Sequence, residues 1–101
     1  MKNFINVDVV SELDKAKVYS ILSECMPDFA WRMGESDMQG GYVSGRNEAG
    51  VHIQCWTDEN PFAFTISFSN ATLNESDANE LVNRITKKVL PQIGEVKEKN
   101  F

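Results

Sequence analysis

The stretch that decides the fold is residues 61–70, with the sequence PFAFTISFSN. Large apolar residues alternate in it with small or polar ones: Phe62, Phe64, Ile66 and Phe68 against Ala63, Thr65 and Ser67. An alternation with period two is typical of a β-strand that buries one face and exposes the other. The stretch therefore predicts an antiparallel strand with one apolar face.

Three further strands are predicted upstream by the same alternation, over residues 29–33, 42–46 and 51–56. Turn-forming residues separate them, including Gly40 and Gly41, the segment 47–50, and Pro61 before the last strand. Short turns between successive strands indicate a four-stranded antiparallel meander. Residues 5–9 also alternate, which predicts either a fifth strand or an extended lead-in segment.

Two amphipathic helices are predicted on either side of the meander. The first is expected over residues 12–26, beginning at a capping-box pattern in residues 11–14 and ending before Pro27. The second follows the polar connection 70–76 and presents apolar residues from Ala78 to Val89. Pro91 must kink or end it. Because Ile93 and Val96 keep the phase of Val89, two outcomes stay open, an end at Pro91 or a bent continuation beyond it.

These elements predict an α+β fold built as a two-layer sandwich, a single domain over residues 1–101. The order is an optional β-strand, then α-β-β-β-β-α. Both helices have one apolar stripe, so both are expected to pack on the same apolar face of the sheet. The other face of the sheet is then expected to remain open.

The charge of the chain limits its partners. It has 101 residues and a net charge of −5, which repels a nucleic-acid backbone. Residues 28–80 contain nine acids and two bases, Arg32 and Arg46. This segment is either an ordinary solvated surface or an acidic patch for a basic partner.

No apolar run is long enough for a signal peptide or a membrane span, which favours a cytoplasmic protein without membrane contact. Cys25 and Cys55 form no CxxC pair, and His52 is the single histidine. We therefore expect buried, reduced thiols, and neither a metal nor another cofactor.

The open face of the sheet is the candidate binding surface. Strand alternation assigns to it Ala30, Arg32, Tyr42, Ser44, Arg46, His52, Gln54, Trp56, Ala63, Thr65 and Ser67. Aromatic residues and arginine are enriched among residues that dominate binding energies. The predicted partner-binding residues are Arg32, Tyr42, Arg46, His52, Gln54 and Trp56, although such a face can also be merely solvated.

Catalysis is not expected. An acid–base enzyme would use His52, with Ser44 or Ser67 as neighbours, but no nucleophile elbow, phosphate-binding loop or zinc motif accompanies it. Glu35 and Asp37 lie two residues apart in a turn, and the remaining ligand positions of a calcium loop are absent.

The leading functional hypothesis is a protein-binding module, either an inhibitor or immunity protein or an escort of a basic protein. The predicted plan and the acidity resemble those of small bacterial secretion chaperones and toxin-immunity proteins, a likeness of architecture that does not fix function. One alternative is a small-molecule binding or catalytic domain on the open face, where Arg32 would meet an anion and Trp56 would stack. Another is a homo-oligomeric structural protein; the chain is expected to be a monomer or a homodimer.

Overall fold

A six-stranded antiparallel sheet forms one layer of the fold, and helices form the other, in a computed structural model that describes residues 4–100, with side chains for residues 4–97. Residues 1–3 and 101 of the predicted domain lie outside the described part. The strands are β1 Phe4–Val10, β2 Ala30–Ser36, β3 Gly40–Arg46, β4 His52–Trp56, β5 Phe62–Ser67 and β6 Glu95–Asn100. Their order across the sheet is β2-β3-β4-β5-β1-β6, which confirms the α+β class.

The predicted meander is present as four neighbouring strands, β2 to β5, with ends shifted by a few residues. The segment 5–9 belongs to a fifth strand, since β1 pairs antiparallel with β5. In this register Ile5 lies opposite Ile66, and Val7 lies opposite Phe64. The apolar alternation of the two strands therefore falls on one face.

The core lies between that face and the helices. Helix α1 spans Lys15–Cys25 and buries Val18 and Leu22, whereas α2 spans Glu75–Arg84 and buries Ala78 and Val82. These side chains form one cluster with the apolar residues of the strands, as expected for helices packed on a single sheet face.

The start of α1 differs from the prediction. Asp14 caps the helix by accepting the Lys17 N–H at 2.8 Å, so the helix begins at Lys15 rather than at residue 12. Ser11 has another role: its hydroxyl donates to the Ile93 carbonyl at 2.6 Å and accepts the Leu13 N–H at 3.1 Å. This serine connects the end of β1 to the C-terminal part of the chain.

Of the two outcomes left open at Pro91, the helical path continues past the proline, but only to Ile93 and not to Val96. After α2 the chain forms a π-helical turn, Ile85–Val89, and a short helix α3, Leu90–Ile93. A proline cannot donate to the carbonyl four residues before it, and the wider turn just before Pro91 accommodates this defect within the helix. The helix then ends at Gly94.

The remaining segment is a strand. Val96 lies opposite Val9 in β6, which pairs antiparallel with β1. Without β6 the backbone N–H and C=O groups on that side of β1 would have no strand partner, so pairing satisfies them. Gly94 permits the close approach, because a Cβ at this position would overlap the Val10 carbonyl oxygen.

Candidate binding surface

The open face is the side of the sheet that carries no helices, and the register places its side chains in three cross-strand rows. One row runs through Ala30, Arg46, His52, Ser67 and Phe4; the middle row through Arg32, Ser44, Gln54, Thr65 and Asn6; the third through Gly34, Tyr42, Trp56, Ala63 and Asp8. All six predicted partner-binding residues share this face. Whether they bind a partner stays a prediction.

Four residues of two adjacent rows come together at one end of the face: Arg32, Ser44, Arg46 and His52, called here the arginine cluster. They line a shallow depression of about 340 Å³ together with Ala30 and Gly45. Both arginines are exposed, whereas Ser44 is 4% exposed. Arg32 Nε donates to Ser44 Oγ at 3.3 Å, and the outer nitrogens of this guanidinium group have no described hydrogen-bond partner.

The arginines of the arginine cluster form no ion pair within the described residues. The ion pairs described, Lys15–Glu35 and Lys97–Glu95, do not involve it. Asp28 and Glu48 border Arg46 on the side of the neighbouring turns, but no described ion pair joins them to it. Two guanidinium groups thus share a surface without a bound carboxylate.

His52 responds to this environment. Partial burial, Arg46 and Arg32, in that order, lower its pKa below the ordinary value of 6.5. The ring faces Arg46 on β3 and the uncharged Ser67 on β5. No described hydrogen bond joins it to Ser44 or Ser67, so a base–nucleophile contact is not formed among these residues.

An aromatic pair occupies the opposite end of the face. Tyr42 and Trp56 are directly opposite on β3 and β4, with ring centroids 5.3 Å apart and an interplanar angle of 63°. Such an edge-to-face arrangement is favourable for aromatic rings. Both side chains are only half-buried, and the exposed Ala63 beside Trp56 leaves space next to the indole.

The middle row between these two ends is polar. Thr65 Oγ1 donates to Asn6 Oδ1 at 3.0 Å, and Gln54 lies between Ser44 and Thr65. Asn6 and the half-exposed Phe4 were not among the predicted surface residues, because their placement depends on the pairing of β1. The alternation of residues 5, 7 and 9 is the signal that assigns them to this face once β1 is a strand.

Metal-binding and membrane-spanning features are absent from the described residues. No group of three or more His, Cys, Asp or Glu side chains there could hold a metal ion. The Glu35 carboxylate, weighed as a calcium ligand, accepts a hydrogen bond from Lys15 Nζ. Within residues 4–100, the helices are too short or too polar to cross a bilayer.

Comparisons of the chain with known protein families, with curated proteins and with solved structures found no match. The function must therefore be inferred from the chemistry of the open face.

Proposed function

We propose that the protein is a small, non-enzymatic binding module whose open face docks a segment of another protein. The observation that carries this proposal is the partly exposed Tyr42–Trp56 pair on a sheet face that no helix covers. Tyrosine and tryptophan bring large contact areas at a low cost in conformational entropy. Trp56 is the central anchor in this proposal.

The distribution of charge favours an acidic segment on this face. The acids of residues 28–80 lie in turns and in α2, apart from Glu35, which is paired with Lys15. The two bases of the same region, Arg32 and Arg46, both lie on the open face. A partner with carboxylates at the arginine cluster and an apolar side chain at Trp56 is complementary to this pattern.

The net charge also predicts a basic partner, and the turns and α2 are the surfaces that would meet one. An inhibitor, an immunity protein or an escort could contact its partner through both surfaces. We propose a cytoplasmic location, supported by the free thiols of Cys25 and Cys55.

Site-specific photocrosslinking in the native cells tests the docking proposal. A benzophenone amino acid replaces Ala63, which lies on the open face, or Asn79, which is exposed on α2. We expect position 63 to give a discrete adduct with a protein whose crosslinked segment contains Asp or Glu, and position 79 to give none of that mass.

Two variants decide whether the open face forms the contact. Trp56→Ala should weaken binding by about 2 kcal/mol or more and remove the adduct. Met38→Ala truncates a side chain that is 94% exposed in a turn, and it should leave both the binding and the adduct unchanged. An adduct that persists without Trp56, no adduct at position 63, or an adduct with a second copy of this chain would each refute the proposal.

A further inference from the structure

We propose that Arg32, Ser44, Arg46 and His52 form a receptor site for one oxyanion, a carboxylate or a phosphoryl group. The inference deepens the docking proposal and rests on it for the carrier of the oxyanion, the docked segment. Arg32 on β2 lies directly opposite Ser44 on β3, and Arg46 lies two residues after Ser44 on β3. The two arginines are therefore diagonal neighbours on one face of the sheet.

Diagonal neighbours on an antiparallel sheet have Cα atoms about 7–8 Å apart, which is within reach of long side chains. Two guanidinium groups at this distance repel each other unless an anion lies between them. Each guanidinium presents a planar fork of N–H donors that matches the two oxygens of a carboxylate or phosphate. Both arginines line the same depression, which places the ligand between their forks.

Ser44 is the positioning residue of the site. Its hydroxyl is almost fully buried and accepts the Arg32 Nε–H, which restricts the rotation of that guanidinium group. Arg46 has no described hydrogen bond or ion pair, so its donors are available to a ligand. The site thus combines one oriented arginine with one free arginine, both lining the same shallow depression.

His52 contributes a reporter and a third donor. The charged groups that influence it are Arg46 on β3 and Arg32 on β2, and its β5 neighbour Ser67 carries no charge. Both arginines disfavour the imidazolium form, whereas a bound oxyanion would favour it. Occupancy of the site must therefore raise the pKa of His52 by linkage.

The test titrates the whole chain with sulfate, monitored by NMR through the His52 ring proton and the backbone amides of residues 44–46 and 52. Sodium chloride at matched ionic strength serves as the reference. We expect saturable shifts at these positions and a higher pKa of His52 in sulfate than in chloride. Linear shifts of equal size in both salts would show general screening and overturn the inference.

Matched variants localise the effect. Arg46→Gln and Arg32→Gln should each weaken sulfate binding roughly tenfold or more, as expected for the loss of a charge-assisted contact. Arg46→Lys keeps the charge but loses the fork, and should fall between the wild type and Arg46→Gln. Lys17→Gln makes the same change of net charge at an exposed position of α1, and it should bind like the wild type. Equal weakening by Lys17→Gln would refute the site.

Succinate and inorganic phosphate at pH 7.5 distinguish the two sources of the oxyanion. Succinate binding at least as tight as phosphate binding would agree with a carboxylate of an acidic segment, whereas binding of phosphate alone would identify a phosphoryl group. If the position-63 adduct forms and depends on Trp56 but no oxyanion binds, the inference fails and the docking proposal remains. If oxyanions bind and no adduct forms, the docking proposal fails and the site serves a small anionic molecule.

Discussion

The ring of Tyr42 lies over Gly34, its direct partner on the neighbouring strand. A Cβ at Gly34 would overlap the outer atoms of the ring, so glycine is the residue that allows the tyrosine to lie flat across β2. The ring then presents itself to Trp56 on the other side, at a centroid distance of 5.3 Å. One glycine therefore helps to set the geometry of the aromatic pair.

The effect of Gly34→Ala on stability should depend on the residue at position 42. In the wild type it should cost about 1–3 kcal/mol, because the added methyl group displaces the Tyr42 ring. In a Tyr42→Ala background it should be neutral or stabilising by about 0.5–1 kcal/mol, since alanine suits a strand better than glycine. Urea unfolding of the four proteins measures the coupling, and additive effects would contradict the packing described.

Trp56→Ala should cost less stability than the truncation of a core residue. We expect about 1–2 kcal/mol from lost area and the lost aromatic contact. Phe64→Ala, at a position 1% exposed on the opposite face, should cost about 3–5 kcal/mol. Urea unfolding followed by far-ultraviolet circular dichroism makes the comparison. Equal costs would place the indole in the core instead of on the open face.

The pH dependence of stability should carry a contribution from His52. Its pKa is lowered in the folded protein, so the unfolded chain binds more protons as the pH falls below about 6.5. The contribution of His52 to the free energy of unfolding is fully present above this pH. It is lost progressively as the pH falls from there through the lower pKa of the folded state. Compared with His52→Gln, the wild type should lose more stability between pH 7.5 and 5. Parallel stability curves for the two proteins would contradict this.

The two cysteines should differ in reactivity. Burial raises the pKa of Cys55 to about 12, so almost no thiolate is present at pH 8. Cys25 is partly exposed at the end of α1. A thiol reagent that forms a coloured product should detect one reactive group per native chain and two in urea. Cys25→Ser should abolish the native reaction; a persistent reaction would show that Cys55 is accessible.

The sequence was sufficient to assign residues to the open face, because successive side chains of a strand point to opposite faces of the sheet. A shift of this alternation by one residue would have placed Trp56 in the core. It did not predict the arginine cluster. Arg32 and Arg46 are fourteen positions apart, from 32 to 46, and meet only through the β2–β3 register, which the turn after Ser36 sets. Alternation indicates the face of a residue but not its neighbours along the sheet.

The strand β6 could not be predicted from local pattern. Residues 95–100, EVKEKN, contain one apolar residue and no alternation of apolar residues. They form a strand because β1 has unpaired backbone groups on its free side. These groups belong to a segment that is distant in the sequence, so the local pattern of residues 95–100 does not indicate the pairing. The same non-local pairing brings Ser11 to the Ile93 carbonyl, whereas α1 begins at Lys15 because of a local cap, Asp14.

The position of β1 between β5 and β6 has a consequence for biosynthesis. Both of its partners, β5 and β6, are translated long after it, so β1 has no strand partner in the nascent chain until β5 has been made. Pairings between such distant segments give the fold a high contact order, which slows folding because long loops must close first. The apolar segment around Val7 therefore stays without its strand partners until late in folding, whereas β2 to β4 can assemble as hairpins before it is sequestered.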